Sequence, residues 1–502
     1  MRGQHSKKCL AIATPLLAVS LLVGIGSADA APGSLDPSFG TGGIVTTVIG
    51  SRGSAAWGLA LQADGKIIAA GVTQEAGGPS EFALTRYNPD GSLDSSFGAR
   101  GTVTTPVGAG AEASAVALQP DGKIVVAGDA SGDAEEFALA RYNPDGSLDP
   151  SFGAGGIVTT AVGADNSYAT AVAIQPDGKI IAAGATYVPE AGFQPPDDFA
   201  LTRYNSDGSL DSSFGSNGVV RTDFSATEDF ANAIALQSNG KIIVAGRSEG
   251  LPTGSVFALA RYNQDGSLDP SFGSNGKVAT AFGSGYADAN AVAVQPNGKI
   301  VVAGYDYTFA LARYKPDGSL DVRFGNRGKV TTNFHSEDAN AQAIALQRDG
   351  KIVAAGWNSS EGDSKSDFAI ARYDPTGSLD RYFGTAGRVT TSVGSHLAWA
   401  TALGLQPDGK IVAAGTAGTG GFALVRYLGG GLHCRVPALR GERLSRAKSN
   451  LRRARCLPGR ITRRFSTVRK GHVISQRPRA GATRPAGAKV RLAVSKGQRA
   501  SR

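Results

Sequence analysis

Residues 115–127 read AVALQPDGKIVVA, and residues 137–149 read FALARYNPDGSLD. The first stretch is an apolar run, a turn and a second apolar run. Asp121-Gly122 accommodates the positive φ of a tight hairpin turn, so residues 115–119 and 124–127 are expected to pair. Residues 137–142 form a third strand that ends in the turn Asn143-Pro144-Asp145-Gly146. Residues 156–160, rich in β-branched side chains, make a fourth. No helical periodicity interrupts the pattern.

The same signals recur along the chain. Gly-Ser-Leu-Asp begins at Gly33, Gly91, Gly146, Gly208, Gly266, Gly318 and Gly377. Phe-Ala-(Leu/Ile)-x-Arg-Tyr begins at Phe82, Phe137, Phe199, Phe257, Phe309, Phe368 and Phe422, and a Gly-Lys pair recurs seven times from Lys66 to Lys410. A single four-stranded sheet cannot bury both of its faces, but seven stacked radially around an axis can. The small-residue strand at 171–174 suits the crowded innermost place, so the order outward is Ala-rich, Ile/Val, Phe-Ala-Leu, Val-Thr-Thr. The array opens with a lone fourth-type strand at 43–48 and ends on a third-type strand at 422–427. Pairing these two closes the ring and removes its free edges. The expected fold is therefore all-β, a seven-bladed β-propeller of four-stranded blades closed by an N-terminal strand.

These residues resemble the delta-60 repeat of bacterial surface and secreted proteins, over roughly residues 33 to 427. The resemblance implies a propeller and brings no agreed catalytic role.

Export is expected from the N-terminus. Arg2, Lys7 and Lys8 precede a short apolar stretch at 10–25, and Ala28-Asp29-Ala30 offers a small-x-small cleavage site. Residues 1–30 are thus read as a signal peptide, with Cys9 too early for a lipid-modified cysteine at the cleavage point. No other segment is apolar and long enough to span a bilayer. The mature chain is expected to be secreted or wall-associated, and monomeric.

Composition changes after Gly429-Gly430-Gly431. Residues 432–502 hold 21 Lys or Arg against one acid, Glu442, for a net +20, whereas the repeats carry −13 of the overall +9. Residues 443–455 have helical spacing, with Leu444, Ala447 and Leu451 on one face, and residues 473–476 and 490–494 read as strands. Cys434 and Cys456 flank the helix and are the only cysteines of the mature chain, which an oxidising compartment favours joining. Val436-Pro437, Gly441, Ala447, Leu451, the run from Val473 to Gly481 and residues 490–497 resemble a PASTA domain, a small α+β module. That resemblance implies attachment to peptidoglycan or its fragments; the arginine content favours an anionic wall polymer. The domain plan is signal 1–30, propeller 31–428, Gly-rich linker 429–433, PASTA-like module 434–497 and basic tail 498–502.

Function is sought where the repeat breaks. One Arg and one Asp per unit, such as Arg141 and Asp149, are too redundant for catalysis and are expected to stabilise blades. The second-to-third connector varies from 4 residues (305–308) to 14 (185–198), and it shares a face with the outer-to-inner loops. That face gathers Asp165, Tyr168, Glu228, Asp229, Tyr286, Asp288, Glu337, Asp338, His396 and Trp399 as candidate ligand residues. Glu112, Glu75, Glu81, Asp197, Asp198, Tyr305, Asp306, Tyr307, Trp357 and Asp367 lie alongside them. Aromatics with carboxylates suit sugars or cationic peptides. The repeats contain only His335 and His396, with no Gly-x-Ser-x-Gly elbow and no zinc-ligand spacing. A non-enzymatic binding protein without cofactor or metal is expected. The alternative is an extracellular glycan hydrolase using carboxylates at the channel mouth.

Overall fold

The computed structural model describes residues 31–498 except 164–165, 188–196, 225–227, 252–253, 337, 360–364, 396, 419, 430–432, 455 and 486–487. The expected signal segment, Asp165, Glu337 and His396 therefore lie outside the described residues. Seven four-stranded antiparallel sheets follow one another. The second runs Gly110–Leu118, Ile124–Ser131, Glu135–Tyr142 and Ile157–Thr160, from the inside outward. The N-terminal strand Ile44–Thr47 pairs antiparallel with Gly421–Tyr427 and completes the seventh sheet. On the inner ring, the Thr401 hydroxyl donates to the Ala56 carbonyl at 2.8 Å, joining the last blade to the first.

Both faces of each blade are buried, which is why the second and third strands read as continuous apolar runs rather than alternating ones. Alternation survives as a difference in size. Phe137 and Leu139 pack outward on the next blade's Ala169, Ile180 and Ala182, while Ala138, Ala140 and Tyr142 face the preceding blade. Each repeat tyrosine then ties back to the preceding blade, as where the Tyr142 hydroxyl donates to Thr105 Oγ1 at 2.8 Å. The same bond joins Tyr427 to Thr391 and, across the ring closure, Tyr87 to Thr47.

The recurrent Arg and Asp make a second inter-blade link. Arg141 Nε and Lys123 Nζ each meet Asp149 Oδ2 at 2.7 Å. The guanidinium lies 4.6 Å over the Phe152 ring and also donates to the Ser206 carbonyl of the following blade. Asp149 Oδ1 meanwhile accepts from the Ser151 hydroxyl at 2.7 Å. Equivalent groups recur in every blade, and in the last Arg426 takes its carboxylate from Asp36, 390 positions away.

The inner strands are longer than the sequence suggested, eight residues in Ser167–Ile174, because each contains a β-bulge. The bulged residue interrupts the alternation that sequence reading relies on. At the bulge the backbones crowd: a Cβ on Gly184 would meet the Tyr168 carbonyl at 1.8 Å, which explains the Gly that ends every second-strand motif. In the C-terminal module the helix is Leu444–Arg453, and Lys489–Ser495 pairs with Val473–Arg477. Leu457–Arg464 adds a parallel third strand that the sequence did not reveal, since Pro458-Gly459 and its exposed arginines mask it. The Cys434–Cys456 disulfide joins the start of the module to the end of its helix, with Cα atoms 4.8 Å apart.

Hydrogen bonds from Ser38 and the Lys410 and Arg426 charges outweigh burial and hold Asp36 at about 2, against an ordinary 3.8. Its six counterparts, Asp94, Asp149, Asp211, Asp269, Asp321 and Asp380, are lowered in the same way. Lowered folded-state values mean that protons bind the unfolded chain more tightly, so this stabilisation is whole above about pH 4 and lost as pH falls toward 2. Acid titration followed by circular dichroism is expected to show cooperative loss of the propeller in that window. Asp149→Asn, which leaves Arg141 buried without its counter-charge, is expected to cost about 3–5 kcal/mol in thermal or denaturant unfolding at neutral pH.

Candidate functional site

The connectors of variable length and the outer-to-inner loops lie together on one rim. The Ser51 hydroxyl of a loop donates to Glu75 of a connector at 2.6 Å, and Ser284 donates likewise to Asp306. Ion-paired turns such as Lys123 with Asp149 occupy the opposite face. Five of the sequence candidates, Tyr168, Asp229, Asp288, Asp338 and Trp399, sit within the inner strands rather than in loops. Ala55, Glu112, Tyr168, Phe230, Asp288, Asn340 and Trp399 occupy one equivalent register position, immediately before the Ala that precedes each bulge. This ring of unlike residues crowns a ring that is nearly uniform beneath it.

Below it, the bulged residues, polar in every blade but the first, where Trp57 takes the place, form a belt that the sequence reading missed. Thr170, Asn232 and Asn290 donate to the carbonyls of Ala231, Ala289 and Ala341 on the neighbouring blades. The available signal was a hydroxyl or amide between two alanines, as in Ala169-Thr170-Ala171 and Ala289-Asn290-Ala291.

One sector brings several candidates into contact. Arg247 lies 4.7 Å over Phe230 and pairs with Glu228 at 2.8 Å and Glu249 at 3.3 Å. The next inner strand opens at Asp288, which accepts from the Ser255 hydroxyl at 3.3 Å. Burial raises Asp288, against the lowering pull of Arg247 and Ser255. Asp288 is the register partner of Tyr305, whose hydroxyl donates to Asp338 at 3.4 Å. Burial and then the charge of Asp338 push the Tyr305 phenol up. Tyr307 stands 5.5 Å from Tyr305 and 5.9 Å from Tyr286, the latter in an edge-on pair. Tyr286 and Tyr307 are 61% and 46% exposed, among the largest exposed apolar surfaces of the molecule. Tyr307 has φ 56°, a left-handed conformation unusual for a tyrosine, and its carbonyl accepts from the Ala339 N–H at 3.2 Å. Aromatic faces beside carboxylates are therefore displayed here on a strand-anchored frame.

The other candidates are elsewhere. Tyr168 and Trp399 stand on the third and seventh blades, away from this sector. Asp229 is fully buried and accepts from the Phe224 N–H at 2.6 Å, so it shapes its own loop. Its carboxylate converges with those of Asp198 and Asp223, their oxygens within 4.8 Å of one another. Among the described residues this is the group best spaced to share a cation. Arg221 already pairs with Asp198 at 3.2 Å.

Asp129 is a carboxylate the sequence reading passed over. It is the register partner of Glu112 on the second blade. Burial, then the charges of Glu112 and Glu135, push it up to about 7.

In the C-terminal module an open groove of 1040 Å³ is lined by Gln476, Arg477, Arg479, Lys489 and Arg491 among others. Arg477 and Arg491 are cross-strand partners, a like-charge opposition that normally destabilises a sheet. The module's one acid, Glu442, is held by Asn450 at 2.8 Å. No helix among the described residues is long and apolar enough to cross a membrane.

Seven bladed repeats and a basic module define a propeller protein with an appended small domain. A family model described as a domain of unknown function (DUF5122) beta-propeller matches residues 62–97, 119–152, 175–214, 237–272, 295–324, 347–383 and 406–431, and the PASTA domain model matches residues 435–496. The chain is a protein of DUF5122 β-propeller repeats carrying a C-terminal PASTA domain. No curated protein matches it. Among solved structures, a catalytically inactive virginiamycin B lyase from Staphylococcus aureus with quinupristin is 11% identical, covers 76% of this chain and 98% of its own, and has a TM-score of 0.44. A polysaccharide lyase is 11% identical over 74% of this chain and 89% of its own, with a TM-score of 0.41. A gluconolactonase from Xanthomonas campestris is 14% identical over 62% of this chain and 85% of its own, with a TM-score of 0.35.

Because the raised Asp129 holds a proton that the unfolded chain releases near pH 3.8, it weakens the fold progressively as pH climbs from about 4 toward 7. Asp129→Asn is therefore expected to raise thermal stability at pH 8 and to leave it unchanged at pH 4. In carboxyl-carbon NMR, Glu112→Gln is expected to move the Asp129 titration to lower pH.

Proposed function

We propose that this is a secreted, non-enzymatic binding protein, attached to the cell wall by its PASTA domain and presenting the propeller rim to a ligand. The observation that carries the attachment is the opposition of Arg477 and Arg491 on neighbouring strands, with Arg479 and Lys489 in the same groove. Without a counter-charge the arrangement costs stability; an anionic polymer lying along the groove supplies that charge. Guanidinium forks suit phosphate or carboxylate groups repeated along a wall polymer or peptidoglycan stem. A disulfide inside the module supports an oxidising, extracellular setting.

On the propeller, the Tyr286–Tyr305–Tyr307 cluster with Asp288 and Asp338 is the proposed ligand platform. Tyrosine faces stack on sugar rings or cationic groups, and the carboxylates accept their hydrogen bonds. A hydrolase is the second reading, and one observation favours it. Asp129, raised to about 7 beside Glu112 and Glu135, has the protonation a general acid needs. A glycan-release screen separates the two: turnover abolished by Asp129→Asn would replace the binding reading.

The mature chain, residues 31–502, is expected to sediment with purified cell wall and to be released by salt. Arg477→Ser with Arg491→Ser is expected to weaken that binding at least tenfold while leaving the unfolding midpoint equal or higher. Wall binding that persists unchanged in 1 M salt, or in the double variant, would contradict attachment through this groove.

A further inference from the structure

Charge in this molecule is sorted by face. The described residues of the rim connectors and strand ends, within 48–55, 72–81, 106–112, 129–136, 161–168, 185–198, 223–230, 247–256, 281–288, 305–308, 333–340, 357–367, 392–399 and 416–421, carry 17 Asp or Glu and three Lys or Arg. The rest of residues 31–431 carries 18 acids and 24 bases. The described rim residues thus carry −14, set against +6 in the rest of the propeller. The opposite charge, +20, is concentrated in residues 432–502. Arg446, Arg452, Arg453, Arg460 and Arg463 are exposed there, and among the described residues no ion pair involves a cation of the module.

Chain geometry decides which molecule can bring the two together. Arg372 donates to the Gly429 carbonyl on the face that carries the ion-paired turns, opposite the acidic rim. From Gly429 to the strand beginning at His433 there are four Cα steps, about 15 Å at full stretch. An eight-residue blade strand is about 26 Å long. The tether is therefore shorter than the blade that it would have to pass for the module to reach its own rim. The rim of another copy is under no such restriction.

The rim also offers an anchor matched to arginine. Tyr286 and Tyr307 expose their rings beside Asp288, Asp306 and Asp338. A guanidinium stacks on such a ring while a carboxylate takes its N–H groups, the combination that concentrates binding energy at protein interfaces. We propose that the acidic rim of one copy docks the arginine-rich PASTA domain of the next, so that the protein assembles head to tail. The two surfaces differ, so the contact is heterologous and does not close on itself by two-fold symmetry; repetition gives a ring where the rotation closes and an open chain where it does not. This replaces the monomer expected from the sequence, and it does not depend on wall attachment.

The test is sedimentation velocity of residues 31–502 over a concentration series in 50 mM and 500 mM salt. The expected result is a weight-average sedimentation coefficient that rises with concentration at low salt and returns to the monomer value at high salt. A rim variant, Glu75→Lys with Asp133→Lys and Tyr286→Ala, and a module variant, Arg446→Glu with Arg452→Glu and Arg453→Glu, are each expected to self-associate at least tenfold more weakly. Mixed together they retain one intact rim and one intact module, and a 1:1 complex is expected. The proposal is overturned by a monomer at low salt at every concentration, by full self-association of the rim variant, or by no complex in the mixture. Wall sedimentation of the variant Glu75→Lys with Asp133→Lys, which leaves the tyrosine platform and the module intact, is expected to be unchanged, so failure of assembly and failure of wall attachment read out separately. Docking of a module on its own rim appears as compaction independent of concentration, and would likewise overturn the proposal.

Discussion

Everything else in this propeller depends on a buried guanidinium that faces three ways. Arg141 is held by Asp149, lies over Phe152, and reaches into the next blade for the Ser206 carbonyl. An ion pair of this kind adds little stability over a well-packed apolar substitute, but removing either partner leaves a stranded charge. It supplies direction: the third strand, the turn after it and the following blade are fixed relative to one another by a single side chain. Repeated around the ring, it sets the spacing between sheets that the Phe and Ala faces then fill. The sequence repeats residue for residue where this contact is made and drifts where it is not.

That division explains how much of the molecule could be read from its sequence. Seven blades, their strand order and the pairing of residues near 44 with residues near 425 followed from markers that recur in phase, because a packed inter-blade contact tolerates few alternatives. The bulge in each inner strand was not legible. It is defined by backbone register, and its residue varies from Thr170 to Asn232 to Asn290, so no fixed letter marks it. The strand Leu457–Arg464 was hidden for another reason, since its exposed side is arginine and its entry is Pro-Gly. For the candidate site, variation in connector length singled out the rim, and the described connectors and loops do share one face. Sequence could not tell which rim residues meet, because Asp288, Tyr305 and Asp338 come from three separate strands. Nor could it show that Asp129, an ordinary aspartate in the text of the chain, stands between two other carboxylates.

The two ends of the axis serve different ends. On the turn face each of the seven buried Asp is satisfied by an Arg and a Lys. On the rim face, burial and then the charges of Glu112 and Glu135 raise Asp129, so carboxylates stand close enough there to repel. A rigid frame is what allows such repulsion to persist, since strands fixed at their far end cannot move apart to relieve it.

The N-terminal strand has a consequence for how the protein is made. Ile44–Thr47 belongs to the same sheet as Gly421–Tyr427, and Asp36 completes the charge group of Arg426. Six blades can assemble in order as the chain emerges, but the seventh sheet does not exist until nearly the whole polypeptide has been delivered. Circular closure therefore keeps the first strand waiting, and the ring open, until the last repeat arrives.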